Sequence, residues 1–342
     1  MKRPVCLLIW LLFLSPAAGA LGPGQTGILV NMDDPASVEI GRYYAAARGI
    51  PAANLIEVRI GRPQAVLDPE RFRRTIWREL TRPSRHRLQA LAVAWTRPWK
   101  VGCMSVTSAL AFGYDETLCA QGCRPTRRSP YFASRSRAPF RELGVRPAML
   151  LAGRSTEAVR RLIDRGVAAD SSYPRGAAYL LETPDRQRSV RSVYFPAIRT
   201  RFAGLLDIHV LRADHIENRN DVLFYFTGST HVARLGSNRF LPGAVGDHLT
   251  SAGGVLEGGS QMSALEWLEA GATGSYGTVT EPCNFLEKFP NPGVLMEHYL
   301  GGETLIEAYF KSVAMPGQGV FIGEPLARPW PRVVLETRPA FP

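Results

Sequence analysis

The chain has 342 residues, 45% of them hydrophobic, and a formal net charge of +11 carried almost wholly by arginine, since lysine occurs only at positions 2, 100, 288 and 311. That composition excludes a disordered or low-complexity chain and suits one large α/β domain or two subdomains. The arginines are scattered, with modest concentrations at 71–87 and 124–141. They form no continuous basic stripe, so no nucleic acid is expected as a partner, while an envelope protein or an anionic polysaccharide stays open.

Residues 1–20 read as a cleavable export signal. Lys2 and Arg3 precede a short apolar run, Val5 to Leu14, which Ser15-Pro16 breaks before Ala18-Gly19-Ala20. The run is too short to span a bilayer, and no later segment reaches eighteen consecutive apolar residues. The expectation is a mature, soluble chain from about Leu21, periplasmic or secreted, that meets a membrane only through the cleaved signal.

The mature chain then alternates strand and helix signals. Gly27–Asn31 is a strand-type run, and Asp34-Pro35 opens a helix that Gly49 closes. Leu55–Ile60 predicts a strand. A helix follows from Asp68 to Leu80 with Phe72, Ile76 and Leu80 on one face, then a buried-type strand over Leu88–Trp95. Residues 96–145 read as irregular. Strand signals recur at Ala148–Ala152, Gly176–Leu181, Ile208–Leu211, Val222–Thr227, Gly271–Val279 and Gly319–Ile322. Helix signals lie at Thr156–Gly166, after Ser260 as an N-cap, and over Gly293–Leu300 and Glu303–Val313. This alternation predicts mostly parallel sheets flanked by helices. Two subdomains are expected, at 21–145 and 146–342, the first carrying the cysteine-containing loop.

Four cysteines remain after signal cleavage: Cys103, Cys119, Cys123 and Cys283. One bridge among the first three is the simplest pattern, which leaves Cys283 and one partner free. Cys119-x3-Cys123 also has zinc-ligand spacing, but no second pair or nearby histidine completes a site, so no metal is expected. Asp33-Asp34 offers two carboxylates to a cation, and Asp34 is equally explained as a helix cap. With neither a P-loop nor a dinucleotide fingerprint, no cofactor is expected.

Cys283 follows a glycine-rich strand, where nucleophiles of α/β sheets gather. The functional reading is a Cys283–His248 dyad, oriented by Asp247 or Glu281, with His231 as an alternative base. Backbone amides at Gly228, Gly253 and Gly254 would then stabilise an oxyanion. The structural reading makes Cys283 a structural thiol or a disulfide half, His248 a helix residue whose imidazole satisfies a buried backbone carbonyl, and His231 a surface turn residue. Ser251 and Ser260 lack a nucleophile elbow and are better explained as caps.

The segments "GILVNMDDPASVEIGRYYAAARGIP", "TSALAFGYD", "LPGAVGDHLTSAGG", "SALEWLEAGATGSYGTVTEPC" and "IGEPLARP" closely resemble an uncharacterised family of exported bacterial proteins found in genomes that carry exosortase. That resemblance covers nearly the whole mature chain and implies a cell-envelope setting. More distantly, the layout is similar to gingipain-type cysteine peptidases of the caspase-like fold. "LLAGRSTEAVRRLIDRG" matches their Gly-Arg segment and helix, and Gly323-Glu324-Pro325 matches their closing Gly-Asp-Pro. "VLFYFTGST" stands where that group has Gly-His-Gly, so Ser229 replaces the histidine, and "SAGGVLEGGSQ" stands where its nucleophilic cysteine is expected. The resemblance thus implies a caspase-like scaffold. Its function is either non-catalytic, accessory to exosortase-linked sorting or polysaccharide export, or a cysteine hydrolase or transpeptidase with a relocated site.

Overall fold

Local chemistry builds the first unit. β1 (Thr26–Asn31) is buried along its whole length. Asp34 then caps α1 (Pro35–Arg48) by accepting from the Ala36 amide, Pro35 supplies the first helical φ, and Gly49 ends the helix in the left-handed region. β2 (Leu55–Val58) returns beside β1. In the computed structural model, residues 20–119 and 123–331 are described. The export signal expected over 1–20 therefore lies, apart from Ala20, outside the described residues.

A short strand, β3 (Val66–Leu67), leads to a helix in three contiguous parts: α2 (Pro69–Phe72), a π-helical stretch Arg73–Trp77, and α3 (Arg78–Leu80). Phe72, Ile76 and Leu80 are buried, as their spacing predicts. β4 (Ala90–Val93) follows. The stretch expected to be irregular contains real elements: β5 (Lys100–Val101), β6 (Met104–Ser105), α4 (Val106–Phe112) and α5 (Pro139–Leu143). No amphipathic pattern marks α4, because its polar residues are buried too; Ser105 and Ser108 donate to the carbonyls of Gly319 and Pro316.

β7 (Ala148–Leu150), α6 (Thr156–Ala169), β8 (Ala177–Glu182), α7 (Phe195–Arg201), β9 (Asp207–Arg212) and β10 (Val222–Gly228) come next. β11 (Phe240–Leu249) is a strand the sequence does not announce, because Pro242-Gly243 signals a turn. Here the pair lies in an irregularity. Val222 pairs with Phe240, but Phe224 already pairs with Val245, and Gly243 takes φ 87°. α8 (Leu265–Ala270) is capped at Ala264, so Ser260 is not its N-cap. β12 (Gly274–Thr278), α9 (Pro292–Leu300), α10 (Leu305–Ser312) and β13 (Gly319–Gly323) complete the chain.

Ten of the strands form one sheet in the order β2-β1-β4-β7-β13-β12-β11-β10-β8-β9. Every pair is parallel except β12–β13. The sheet is therefore two parallel sets of five strands that meet antiparallel at β12 and β13. Numbered by their own appearance, the strands of each set run 2-1-3-4-5 from the outer edge inward. The two sets thus share one topology, which is the α/β class expected. β7 and α6 belong to the first set, and β13 returns from the far end of the chain to complete it. The boundary expected at 145/146 lies within the first set in this strand order.

α1 and α6 cover one face of the first set around Tyr44, Val159 and Ile163, while α2, α3 and α4 cover the other around Phe72, Ile76 and Leu110. In the second set, α7, α9 and α10 cover one face, and Trp267 of α8 fills the other. Each set is fastened by a buried carboxylate–arginine pair. Glu324, just after β13, accepts from Arg48 and Tyr44 of α1. Asp247 of β11 pairs with Arg191, which also donates to the Thr227 carbonyl at 2.7 Å. Among the described residues no helix is long and apolar enough to cross a membrane.

Candidate functional site

Ligands of open α/β sheets sit beyond strand carboxyl ends, in the crevice where strand order reverses. Because the sets are antiparallel, their carboxyl ends point to opposite edges of the sheet. Crevices occur at both, and a further one, lined by Glu182, Thr183, Arg186, Arg212 and Asp214, lies beyond β8 and β9 at the second set's edge.

The crevice of the second set, about 340 Å³, opens beyond β11 and β12 and is lined by Arg188, Thr250, Ser251, Glu281, Cys283 and Asn284, among others. Glu281 and Cys283 are thus brought together there, but not as chemistry. Cys283 is bonded to Cys123, and Cys103 to Cys119. One bridge among the first three cysteines is present, while the expected free Cys283 is corrected: no described cysteine carries a free thiol. The link from Cys123 to Cys283 spans 160 residues, too great a separation for spacing alone to pair them. Cys283 takes φ 53°, and its amide donates to Glu281 Oε1 at 2.7 Å. Glu281 therefore shapes this turn and orients no histidine.

His248 is the second correction. It lies on β11, fully enclosed, with both ring nitrogens engaged. Trp267 Nε1 stands 2.8 Å from Nδ1, and Nε2 stands 3.0 Å from the Met262 carbonyl. An indole can only donate, so Nδ1 accepts and Nε2 carries the proton. Burial pushes the imidazole down to about 3. It is a neutral core residue bound to a carbonyl, and no general base. Asp247 precedes it on the strand, so its side chain faces the opposite side of the sheet and is taken by Arg191. Burial pushes this carboxyl up, against the pull of that guanidinium.

His231 sits on an exposed turn whose backbone is bound by Ser229 Oγ, outside the crevice lining. The glycines are explained by close approach. A Cβ on Gly228 would stand 1.9 Å from the Arg188 carbonyl oxygen, and one on Gly277 would stand 2.2 Å from the Gly253 carbonyl carbon. Gly254 already donates its amide to the Thr278 carbonyl at 2.9 Å. No oxyanion hole is assembled from Gly228, Gly253 and Gly254. Arg188 is the crevice's fixed cation, held by Asp185 at 2.7 Å and Thr250 Oγ1 at 3.3 Å. Lys288, which no sequence motif marks, is fully buried with no hydrogen-bond partner for Nζ among the described residues, 4.8 Å over the Phe285 ring, and burial pushes it down to about 8.

The crevice of the first set brings together Asp34 and the Gly153-Arg154-Ser155 turn, two segments whose own sequences do not announce that they meet. It measures about 600 Å³ and is walled by the segments that follow β1, β4 and β7, with Leu256, Glu257 and Leu265 reaching it from the second set. It spans the reversal point between β1 and β4. Ile40, Val159, Leu256 and Leu265 give it an apolar floor, while Asp34, Arg97, Arg154 and Glu257 stand at its rim. Arg97 pairs with Glu257 at 2.6 Å, and Arg154 with Glu266 and with Glu269 at 2.7 Å, so two ion pairs bridge the sets beside it. Thr96 and Gly153 lock the adjacent strand ends through a reciprocal hydrogen-bond pair. Only the strand order reveals this site, and strand order is not written in local sequence.

Asp33 and Asp34 hold no open cation site. Asp34 caps α1, and Asp33 accepts from the Gly61 amide at 2.8 Å and from Arg59, the amide chiefly pulling its carboxyl down. Among the described residues no group of three or more potential metal ligands occurs. Two disulfides suit an oxidising compartment. No family model matches the chain, and no curated protein does.

Proposed function

We propose that this chain is a non-catalytic binding protein of the cell envelope, exported to the periplasm or beyond, that keeps a caspase-like scaffold and serves exosortase-linked protein sorting or polysaccharide export. The observation that carries the non-catalytic part is the fate of the suspected dyad: Cys283 is half of a disulfide and both nitrogens of His248 are occupied. A thiolate nucleophile needs a free sulfur and a base within reach. The envelope part is supported by the export signal that the sequence of residues 1–20 leads one to expect, by the two disulfides and by the family resemblance.

The crevice of the first set supplies the binding surface. An apolar floor with a few fixed polar groups at the rim is the usual make-up of a small-ligand site. Iodoacetamide treatment of the native protein, followed by non-reducing peptide mass spectrometry, tests the proposal. Unlabelled peptides joined as Cys103–Cys119 and Cys123–Cys283 are the expected result. Rapid labelling of Cys283 with thiol-dependent hydrolysis would replace it by the hydrolase or transpeptidase reading. Export and sorting are tested in a deletion strain, where unaltered surface proteins and polysaccharide would refute the accessory role.

A further inference from the structure

We infer that the arginine ridge over residues 71–87 is a docking surface for a linear, carboxylate-bearing polysaccharide. The segment holds seven arginines (71, 73, 74, 78, 82, 85 and 87) against a single carboxylate, Glu79. Folding sorts it cleanly. Phe72, Ile76 and Leu80 turn into the core, which leaves Arg74 and Arg78 outward on successive turns.

Arg73 is paired with Glu70, and Arg82 with Glu79 at 2.7 Å. Arg74 and Arg78 make no side-chain hydrogen bond or ion pair among the described residues, so their forks face solvent unspent. A general arginine richness explains the count, but not two adjacent uncompensated guanidiniums on a rigid support.

The support is built from carbonyls. Buried Arg146 donates to the carbonyl oxygens of Leu80 and Leu88, each at 3.1 Å, and of Arg85 at 3.3 Å, with its guanidinium 3.6 Å from the Phe140 ring centre. Arg85 and Arg87 both donate to the Ala53 carbonyl. The ridge is therefore pre-organised, which lowers the ordering cost of binding.

Shape and chemistry select the partner. Arg71, Arg74 and Arg78 follow one another along about 10 Å of helix and Arg82, Arg85 and Arg87 continue beyond its end, the form of an extended polymer rather than a flat bilayer. Exposed large apolar side chains near the ridge are limited to Val66, so the wedge that an interfacial membrane binder inserts is missing among the described residues. Guanidinium forks match carboxylates in bidentate pairs. The inference rests on the proposed envelope setting only for its compartment. Polymer binding and thiol mapping are separate readouts, so either can fail alone.

Binding of the full mature chain to polygalacturonate, with dextran as the neutral control, is measured by calorimetry at low and high salt. We expect binding that weakens with salt and is absent for dextran. Arg74→Glu with Arg78→Glu should weaken it roughly tenfold or more, because two solvent-exposed attractions become repulsions. Arg199→Glu with Arg212→Glu changes net charge equally, away from the ridge, and should weaken it far less. Equal weakening by both pairs, no binding by the wild type, or binding to anionic phospholipid vesicles in place of the polymer would overturn the inference. Circular dichroism of each variant confirms that the fold is retained.

Discussion

The two strand sets share one topology and treat their carboxyl ends oppositely. In the first set the loops after β1, β4 and β7 stand apart and leave a wide crevice whose charged groups sit at the rim, half exposed. In the second set the polar groups are drawn inside: Asp247 onto Arg191, and His248 between Trp267 and the Met262 carbonyl. The disulfide from Cys123 to Cys283 takes up the one cysteine that lines what remains. The same scaffold thus leaves one edge open and packs the polar groups of the other into its core. A histidine or cysteine at a strand end is evidence of catalysis only if its neighbours leave it free.

That contrast breaks most sharply at Arg191. Arg191→Met strands Asp247 in the core and should cost about 3–5 kcal/mol. Arg97→Met removes a rim pair and should cost at most about 1 kcal/mol. Urea unfolding of the two variants measures the difference, and equal losses would mean that the two edges are not divided as described.

Acid should act through His248. Its folded-state value of about 3 lies below the ordinary 6.5, so the unfolded chain takes the proton first. The contribution is complete above pH 6.5 and is lost as pH falls toward 3, by up to about 1.4 kcal/mol per pH unit. Unfolding at pH 7 and pH 5 should show this loss in the wild type, and His248→Gln should remove it from the slope while lowering stability at pH 7. A variant with an unchanged slope would show that the imidazole is not held neutral.

The smallest effect sharpens the comparison at the first crevice. Ser155 caps α6 by accepting from the Ala158 amide at 3.2 Å, and Ser155→Ala should cost about 1 kcal/mol. Urea unfolding measures it, and an unchanged midpoint would show that Ser155 does not stabilise α6 as a cap.

Sequence by itself determined the local units. Asp34-Pro35 and Gly49 bound α1, the Phe72–Ile76–Leu80 stripe orients the helix through α2 and α3, and apolar runs mark β1, β4 and β10. Each of these signals is satisfied within one or two turns of its own chain. Alternation of the units was enough for the α/β class. Sequence also held both readings of Cys283 and His248 without choosing between them, since a side chain's freedom depends on what is packed against it.

Tertiary structure decided the rest. It brought β13 back from the far end of the chain into the first set, and so created both the antiparallel joint and the crevice at the β1–β4 reversal. It set Cys123 against Cys283 across 160 residues and Trp267 against His248 across 19. It placed Glu324 under Arg48 and Tyr44, giving a closing motif a structural role that its own neighbours do not reveal. These are long-range pairings. Their energy comes from burial shared by segments far apart in the chain, and no local window of sequence contains both partners.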